Sequence, residues 1–215
     1  MSRRRDFIPA LNREWLTPVY DPLIRWTMRE STFKPRLVQE ARIAPGYRVL
    51  DLGCGTATLT ILIKQMHPES EVTGLDIDAR VLDVARARIS RAGLDITLDQ
   101  GPATALSYPD DSFDRILSSL VFHHLRTDDK VRAAREAFRV LRPGGELHVA
   151  DFGRPHNPLM AAIALVMRHF EETADYFAGR LPEMFRQAGF GQVEVTARYG
   201  TFFGPLALYR VRRPP

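Results

Sequence analysis

Arg48-Val49-Leu50-Asp51-Leu52-Gly53-Cys54-Gly55-Thr56 is the stretch that decides the fold. Residues 48–52 form a short apolar run that reads as a strand. Residues Thr56 to Met66 read as a helix. Between them, Gly53 and Gly55 let the backbone take φ values that other residues avoid and approach a ligand closely. A strand, a glycine turn and a helix make the opening of a βαβ unit.

Working toward the C-terminus, Glu71 to Asp76 is a second strand. A helix from Asp78 to Arg91 follows, with Asp78 suited to its N-terminus and Val81, Leu82, Ala85 and Ile89 on one face. Gly93 stands where a C-terminal cap belongs. Ile96 to Gln100 and Phe113 to Ser118 are the third and fourth strands. The next helix, Thr127 to Leu141, opens on Asp128 and Asp129, which favour the positive end of its dipole. It carries Val131, Ala134, Phe138 and Leu141 on one stripe. Arg142-Pro143-Gly144-Gly145 turns the chain into a fifth strand, Glu146 to Asp151. This alternation predicts an α/β fold, a doubly wound, Rossmann-like sheet of mainly parallel strands.

Beyond Asp151 the rhythm changes. A helical segment over Pro158 to Phe177 and a short helix over Leu181 to Ala188 lead to two strands, Gln192 to Arg198 and about Leu206 to Arg212. Gly200 and Gly204-Pro205 lie between them, and the close spacing predicts an antiparallel pair at the end of the sheet. Toward the N-terminus, residues 7–43 read as helical, with Pro9, Pro18, Pro22 and Pro35 as breaks. The expected organisation is an N-terminal helical cap over 1–44 and one structural unit over 45–215.

The chain has 215 residues, enough for one core of its own. A hydrophobic fraction of 45%, a charged fraction of 26% and a net charge of +4 describe an ordinary globular mixture, with its basic excess read as solubilising surface charge. Cys54 is the sole cysteine, so no internal disulfide can form and thiol-rich metal sites are excluded. That fits a reducing compartment, and a cytoplasmic location is expected. Arg4-Arg5-Asp6-Phe7-Ile8 resembles a twin-arginine signal, but Asn12-Arg13-Glu14 interrupts the apolar stretch such a signal requires, so the N-terminus reads as mature protein. The longest apolar run, Leu159 to Met167, is too short to span a bilayer. His67, His148, His156 and His169 lack partners at ligand spacing and no HExxH occurs, so no metal is expected.

In an open α/β sheet, ligands bind beyond the carboxyl ends of the strands, where the strand order reverses. A glycine loop there suits a dinucleotide or S-adenosylmethionine. The dinucleotide fingerprint wants a third glycine, and position 58 is threonine. Asp51 is more telling. A fixed carboxylate a few ångströms from a pyrophosphate is repelled by roughly 1–4 kcal/mol, depending on the effective dielectric. The ammonium and sulfonium of S-adenosylmethionine are attracted instead. Asp76, at the end of the second strand, is placed to accept ribose hydroxyls, and Ile77 to lie against an adenine face.

These residues carry a resemblance. Val49 to Thr56 resembles the first motif of the class I methyltransferases, and Gly74-Leu75-Asp76-Ile77-Asp78 the second. Pro109-Asp110-Asp111-Ser112-Phe113-Asp114 with Val121-Phe122-His123-His124-Leu125 resembles their fourth-strand region, and Phe138 to Gly145 the turn before strand five. The match covers about residues 45–152 and is similar to the ubiquinone/menaquinone C-methyltransferases and related small-molecule enzymes. The resemblance implies a seven-stranded sheet with an antiparallel last strand. It implies that Asp51, Gly53 and Gly55 meet the methionine portion of the cofactor and Asp76 the ribose, and that Ser119 helps hold the amino group through its backbone; Cys54, within the loop, is counted with the cofactor-binding residues. Where relatives carry Gly-Asp-Ala after strand three, this chain has Gly101-Pro102-Ala103. Proline offers neither a side-chain acceptor nor a backbone donor. The Ala103 N–H is then the expected adenine contact, with Gln100, Thr104 or water as acceptor for the adenine amine.

Methyl transfer from a sulfonium needs alignment and exclusion of water. An acceptor that must lose a proton needs a base as well, and His123 and His124, just past strand four, are the candidates. One of them could instead simply brace the loop. Asp151 and Phe152 stand ready to face the acceptor. Tyr20-Asp21 matches the N-terminal Tyr-Asp that closes over the cofactor in similar enzymes, or Tyr20 is a buried aromatic. Ser118-Ser119-Leu120-Val121 is not the Asn/Asp-Pro-Pro-aromatic motif of amino-methylating nucleic-acid enzymes. No stacking platform stands out, so no nucleic acid is expected. The expected activity is methyl transfer from S-adenosylmethionine to a hydrophobic small molecule, with peripheral membrane contact through terminal arginines and an apolar lid as a possible accompaniment. The competing readings are a cofactor-binding protein without catalysis, an RNA or protein methyltransferase on the same fold, and a nicotinamide oxidoreductase.

Overall fold

A computed structural model describes residues 30–155, 157–161, 179–202 and 204–215. Helix α1 (Glu30–Glu40) leads to β1 (Arg48–Leu52), α2 (Thr58–Met66), β2 (Glu71–Asp76), α3 (Ala79–Ala92), β3 (Thr97–Gln100) and β4 (Phe113–Ser119). A 3-10 turn (Phe122–His124) precedes α4 (Thr127–Val140), β5 (Leu141–Phe152), α5 (Leu181–Gln187), β6 (Gln192–Thr201) and β7 (Gly204–Arg212). The strands form one seven-stranded sheet in the order β3-β2-β1-β4-β5-β7-β6. β7 runs antiparallel to both β5 and β6, as the resemblance implies. The order reverses between β1 and β4, and a crevice opens at the carboxyl ends of those two strands.

Each face of the sheet is covered. On one face, Phe33, Leu37 and Val38 of α1 and Leu59 and Ile63 of α2 pack with Val49, Leu117, Ala150 and Leu208. On the other, Ala133, Ala134 and Ala137 of α4 and Met184 and Phe185 of α5 pack with Leu50, Ile116, Leu147 and Tyr209. Small α4 side chains let that helix lie close to the sheet. Helix α1 thus shares a core with the sheet.

Several expected boundaries shift. Pro35 reads as a break, yet α1 runs through it. A proline inside a helix costs about 3 kcal/mol, and burial of Phe33, Leu37 and Val38 around it offsets that. Gly200 lies inside β6 rather than between the strands; a Cβ there would meet Met160, so its bareness serves packing. Arg142–Gly145 is counted within β5, but it interrupts the pairing: Phe113 faces Leu141 and Arg115 already faces Glu146. It is a bulge, turned by Gly144 at φ 77°. Residues 158–161 are helical, and Asn157 caps them by accepting from the Met160 amide at 2.8 Å. Most of the expected helix over 158–177, and residues 1–29 of the cap with Tyr20, lie outside the described residues. No helix among the described residues is long and apolar enough to cross a membrane.

Candidate functional site

Everything at the carboxyl edge is organised around the glycine loop. Gly53 takes φ 76° and Gly55 φ 54°, and Ala57, which caps α2, takes φ 62°. The Gly53 and Cys54 amides both donate to the Leu75 carbonyl, at 2.8 and 2.9 Å, so the loop is laced to the end of β2. Gly53 also lies directly under Val121, where an added Cβ would come within 2.3 Å of a Val121 methyl carbon. The loop is therefore clamped between β2 and the segment after β4. Arg88 of α3 tightens it from outside, donating to the Thr56 carbonyl at 2.9 Å and to the hydroxyls of Thr56 and Thr58.

Asp51 lies near the carboxyl end of β1 and is only 1% exposed. Burial, the largest influence, pushes its carboxyl up to about 6, against the opposing hydrogen bond from Thr60 and the nearby Lys34 charge. The Thr60 hydroxyl donates to it at 2.6 Å. Near neutral pH Asp51 is thus a poorly hydrated anion beneath the loop, which favours a cationic ligand over a pyrophosphate. Asp76 does two jobs. One oxygen accepts from the Gly55 amide at 2.8 Å and the other from the Asp78 amide at 3.0 Å. A carboxylate has about four lone-pair sites, so two bonds leave capacity for ribose hydroxyls. The flanking Asp78 caps α3 by accepting from the Arg80 amide.

The nucleoside side is formed by Ile77, Gln100 and the turn at Pro102. Ile77 is 42% exposed, a large aliphatic surface at the rim that suits the face of an aromatic base. Gln100 donates its amide N–H to the Ile77 carbonyl at 3.2 Å, so its carbonyl oxygen is the acceptor group it brings to the same edge. Pro102 is exposed, and its own carbonyl is used by the Ala105 amide. Ala103 packs partly into the core beside it. Arg139 holds the rest of this loop through the carbonyls of Leu106 and Tyr108.

Cys54 keeps its side chain buried. It packs against Gly74, and burial raises its thiol above the ordinary range, so it stays protonated. It offers a ligand its backbone only. Ser119 has the opposite character. Its hydroxyl is buried without a hydrogen-bond partner among the described residues, at the carboxyl end of β4 beside the strand-order reversal. An unsatisfied buried hydroxyl costs about 1–3 kcal/mol, which a polar ligand atom can relieve. The next residue, Leu120, is held at φ 60°, a conformation that strains a branched side chain and that clusters at functional sites.

The 3-10 turn after β4 carries both histidines. His123 Nδ1 lies 3.1 Å from Asp151 Oδ1, and the His123 backbone amide points to Asp151 Oδ2 at 3.3 Å. The Phe152 amide also donates to Oδ1 at 2.8 Å. The rings of His123 and His124 are 3.9 Å apart, and the edge of Phe152 meets His123. Lost hydration, followed by repulsion from His123, pushes the His124 imidazole down to about 4.

The crevice thus gathers Asp51, Gly53, Gly55, Asp76, Ile77, Ser119 and the His123–Asp151 pair around one edge. Sequence reasoning missed Thr60, Arg88 and Val121. Thr60 left one trace: a polar residue on the inward stripe of an otherwise apolar helix. The residues present fit S-adenosylmethionine: a buried carboxylate for its cationic end, a bare backbone loop, a second carboxylate for its ribose and an aliphatic rim for its base.

Comparison with known proteins points the same way. Residues 49–145 match the model of a family described as a methyltransferase domain. A demethylmenaquinone methyltransferase of Listeria monocytogenes is 33% identical over 89% of this chain and 92% of its own length. A ubiquinone/menaquinone biosynthesis C-methyltransferase, UbiE of Bdellovibrio bacteriovorus, is 37% identical over 61% of this chain and 55% of its own length. Among solved structures, the apo form of the S-adenosylmethionine-dependent methyltransferase SibL superposes with a TM-score of 0.72 at 24% identity, covering 100% of this chain and 64% of that one. That last likeness is one of fold.

Proposed function

Because this chain belongs to the class I S-adenosylmethionine-dependent methyltransferases, we propose that it methylates a hydrophobic small molecule of the quinone type in its reduced, hydroquinone form. The observation that supports the cofactor end of this reading is Asp51, a buried carboxylate directly beneath a loop with bare glycine backbone. The acceptor end draws on the demethylmenaquinone and ubiquinone/menaquinone relatives. The reduced form follows from chemistry: a quinone ring is electron-poor, whereas a hydroquinone is a nucleophile.

S-adenosylmethionine supplies an activated methyl group on sulfur. The chain's own residues bind and align it. Asp51 takes the cationic methionine end, with Thr60 fixing its carboxylate. Gly53 and Gly55 let the backbone close on the ligand, Asp76 accepts from the ribose, and Ile77, Pro102 and Ala103 border the base, with Gln100 as acceptor for its amine. Ser119 offers its hydroxyl and backbone to the amino group. His123 and His124 stand on the acceptor side of the crevice, beside Asp151 and Phe152. Preorganised polar groups in a crevice of low dielectric favour a reaction in which a positive sulfur becomes neutral. We place the chain in the cytoplasm, with a small-molecule acceptor as its partner.

The test is binding and turnover in parallel. Calorimetry should show S-adenosylmethionine bound and NADH not bound. A short-chain prenylated naphthohydroquinone, kept reduced, should gain the mass of one methyl group. Binding without transfer to any acceptor would favour a cofactor-binding protein, and salt-sensitive binding of RNA would favour a nucleic-acid substrate.

A further inference from the structure

The two adjacent histidines are not equivalent. Asp151, next to last in β5, is fully buried and receives three N–H groups: the His123 ring, the His123 backbone and the Phe152 backbone. All three contacts make its oxygens acceptors, so Nδ1 of His123 is the donor in that pair. When Nδ1 holds the proton, the basic lone pair of the ring is on Nε2. The His123 backbone bond adds a second constraint, because the same carboxylate fixes both the ring and the turn that carries it. The turn itself is seated by Val121 on Gly53, at the mouth of the cofactor loop. None of the contacts described for His124 gives it a carboxylate partner of this kind. Its ring meets His123, and it is pushed down to about 4, which makes it a weak base at neutral pH.

We propose that His123, oriented by Asp151, is the general base of this enzyme, and that the acceptor is one that must surrender a hydroxyl proton: a phenol or hydroquinone rather than an amine or thioether. The assignment rests on the methyltransferase reading above and names the residue that takes the acceptor's proton. The acceptor hydroxyl gives its proton to Nε2 of His123. The resulting phenolate attacks the methyl carbon, through oxygen or through a conjugated ring carbon, as the carbon–sulfur bond breaks and its electron pair stays on sulfur. Where carbon attacks, the dienone that forms gives its ring proton to solvent and its oxygen is reprotonated, restoring the aromatic hydroxyl, so that one proton is released in all. His123 then releases its proton to solvent. Asp151 acts as the positioning residue, holding the tautomer and favouring the imidazolium formed in transfer. The charged and titratable groups around the pair are His124 on the same turn, Tyr209 of β7 beside Asp151, and Arg154 and Arg198 beside Tyr209.

Two measurements on the full chain test this. The first is histidine ¹H–¹⁵N long-range NMR on the protein and on Asp151→Asn. The expected result is a proton on Nδ1 of His123 in the parent and a tautomer population moved toward Nε2–H in Asp151→Asn. A proton on Nε2 in the parent, or a tautomer indifferent to Asp151, would overturn the pairing. The second is methyl transfer to three probes: 1,4-naphthohydroquinone, catechol and aniline. His123→Gln should lower transfer to the hydroquinone at least 100-fold in kcat at pH 7 with S-adenosylmethionine affinity within threefold. His124→Gln should lose much less, and Asp151→Glu should recover part of what Asp151→Asn loses, with a shifted acid limb in its pH profile. Transfer to catechol but not to the hydroquinone, still abolished in His123→Gln, would count against the quinone reading and uphold the base. Transfer confined to aniline, transfer to none of the three, or a His123→Gln enzyme at parental rate would sink the proposal.

Discussion

The Asp76 carboxylate spans the gap between the glycine loop and the head of α3, accepting from the Gly55 amide at 2.8 Å and from the Asp78 amide at 3.0 Å. Removing it takes away a ribose acceptor and unfastens the loop together. Hydrogen bonds to a charged group are worth about 1.5–3 kcal/mol each, or roughly 10–100-fold in affinity. Asp76→Ala should therefore weaken S-adenosylmethionine binding by at least about tenfold in calorimetry. Asp76→Asn keeps one acceptor oxygen and should fall between the two. Unchanged binding in both would remove Asp76 from the site.

Gly53 combines a left-handed φ with a roof. Gly53→Ala must bear the strain of φ 76° and push Val121 aside. The left-handed conformation alone costs about 1–2 kcal/mol in a residue with a Cβ. The expected outcome is a fall in Tm of several degrees and a sharp loss of cofactor affinity. Val121→Ala in the Gly53→Ala background should recover part of the Tm, because it relieves the clash and leaves the strain. No recovery would show that φ, rather than Val121, dictates glycine at this position.

Asp51 predicts opposite pH effects on stability and on binding. Its folded carboxyl titrates at about 6, above the ordinary value of 3.8. Between those values the folded state holds a proton that the unfolded chain has released, so stability falls as pH rises through that window. Two units correspond to about 3 kcal/mol at most. Asp51→Asn should accordingly raise Tm at pH 7.5 relative to the parent, and the advantage should shrink toward pH 4. Affinity for a cationic cofactor needs the anion, so S-adenosylmethionine binding to the parent should weaken below pH 6, and Asp51→Asn should bind weakly at every pH. Thermal scans and calorimetry from pH 4.5 to 8 check both. Thr60→Val, which removes the donor at 2.6 Å, should move the binding transition to higher pH.

At the position where the resemblance implies a carboxylate for the adenine amine, this chain has Pro102. Pro102→Asp should supply one. A neutral-donor hydrogen bond is worth about 0.5–1.5 kcal/mol net, so affinity should rise about two- to tenfold. Gln100→Ala should cost a similar factor in the parent and less in Pro102→Asp. A loss of affinity in Pro102→Asp would mean that the Gln100 arrangement is the better fit for this loop.

Much of this was legible in the chain. Strand and helix order, the glycine loop, Asp51 and Asp76 all follow from local patterns, because a βαβ unit writes its binding loop within one short stretch. What escaped depends on contacts between distant residues. The Arg88 bonds to Thr56 and Thr58 and the Val121 roof over Gly53 join elements far apart in sequence, and no local pattern marks them. The strand positions of Gly200 and the path of α1 through Pro35 escaped for a related reason: propensity pointed to breaks, and packing against Met160 and around Phe33 overrode it. The pairing of His123 with Asp151 was half visible, since both lie at strand ends, but only the adjacency of β4 and β5 brings them together.

β7 lies between β5 and β6, although it follows both along the chain. While ribosomes are still making this protein, β1 through β5 can each dock at an outer edge of the growing sheet in order of synthesis. β6 cannot, because its only neighbour in the sheet among the described residues is β7. Until residues 204–212 arrive, the largely buried strand β5 presents a bare edge that other nascent chains could pair with. The most exposed stage in the synthesis of this enzyme therefore falls between β5 and β7, and it ends when the β6–β7 hairpin pairs with β5.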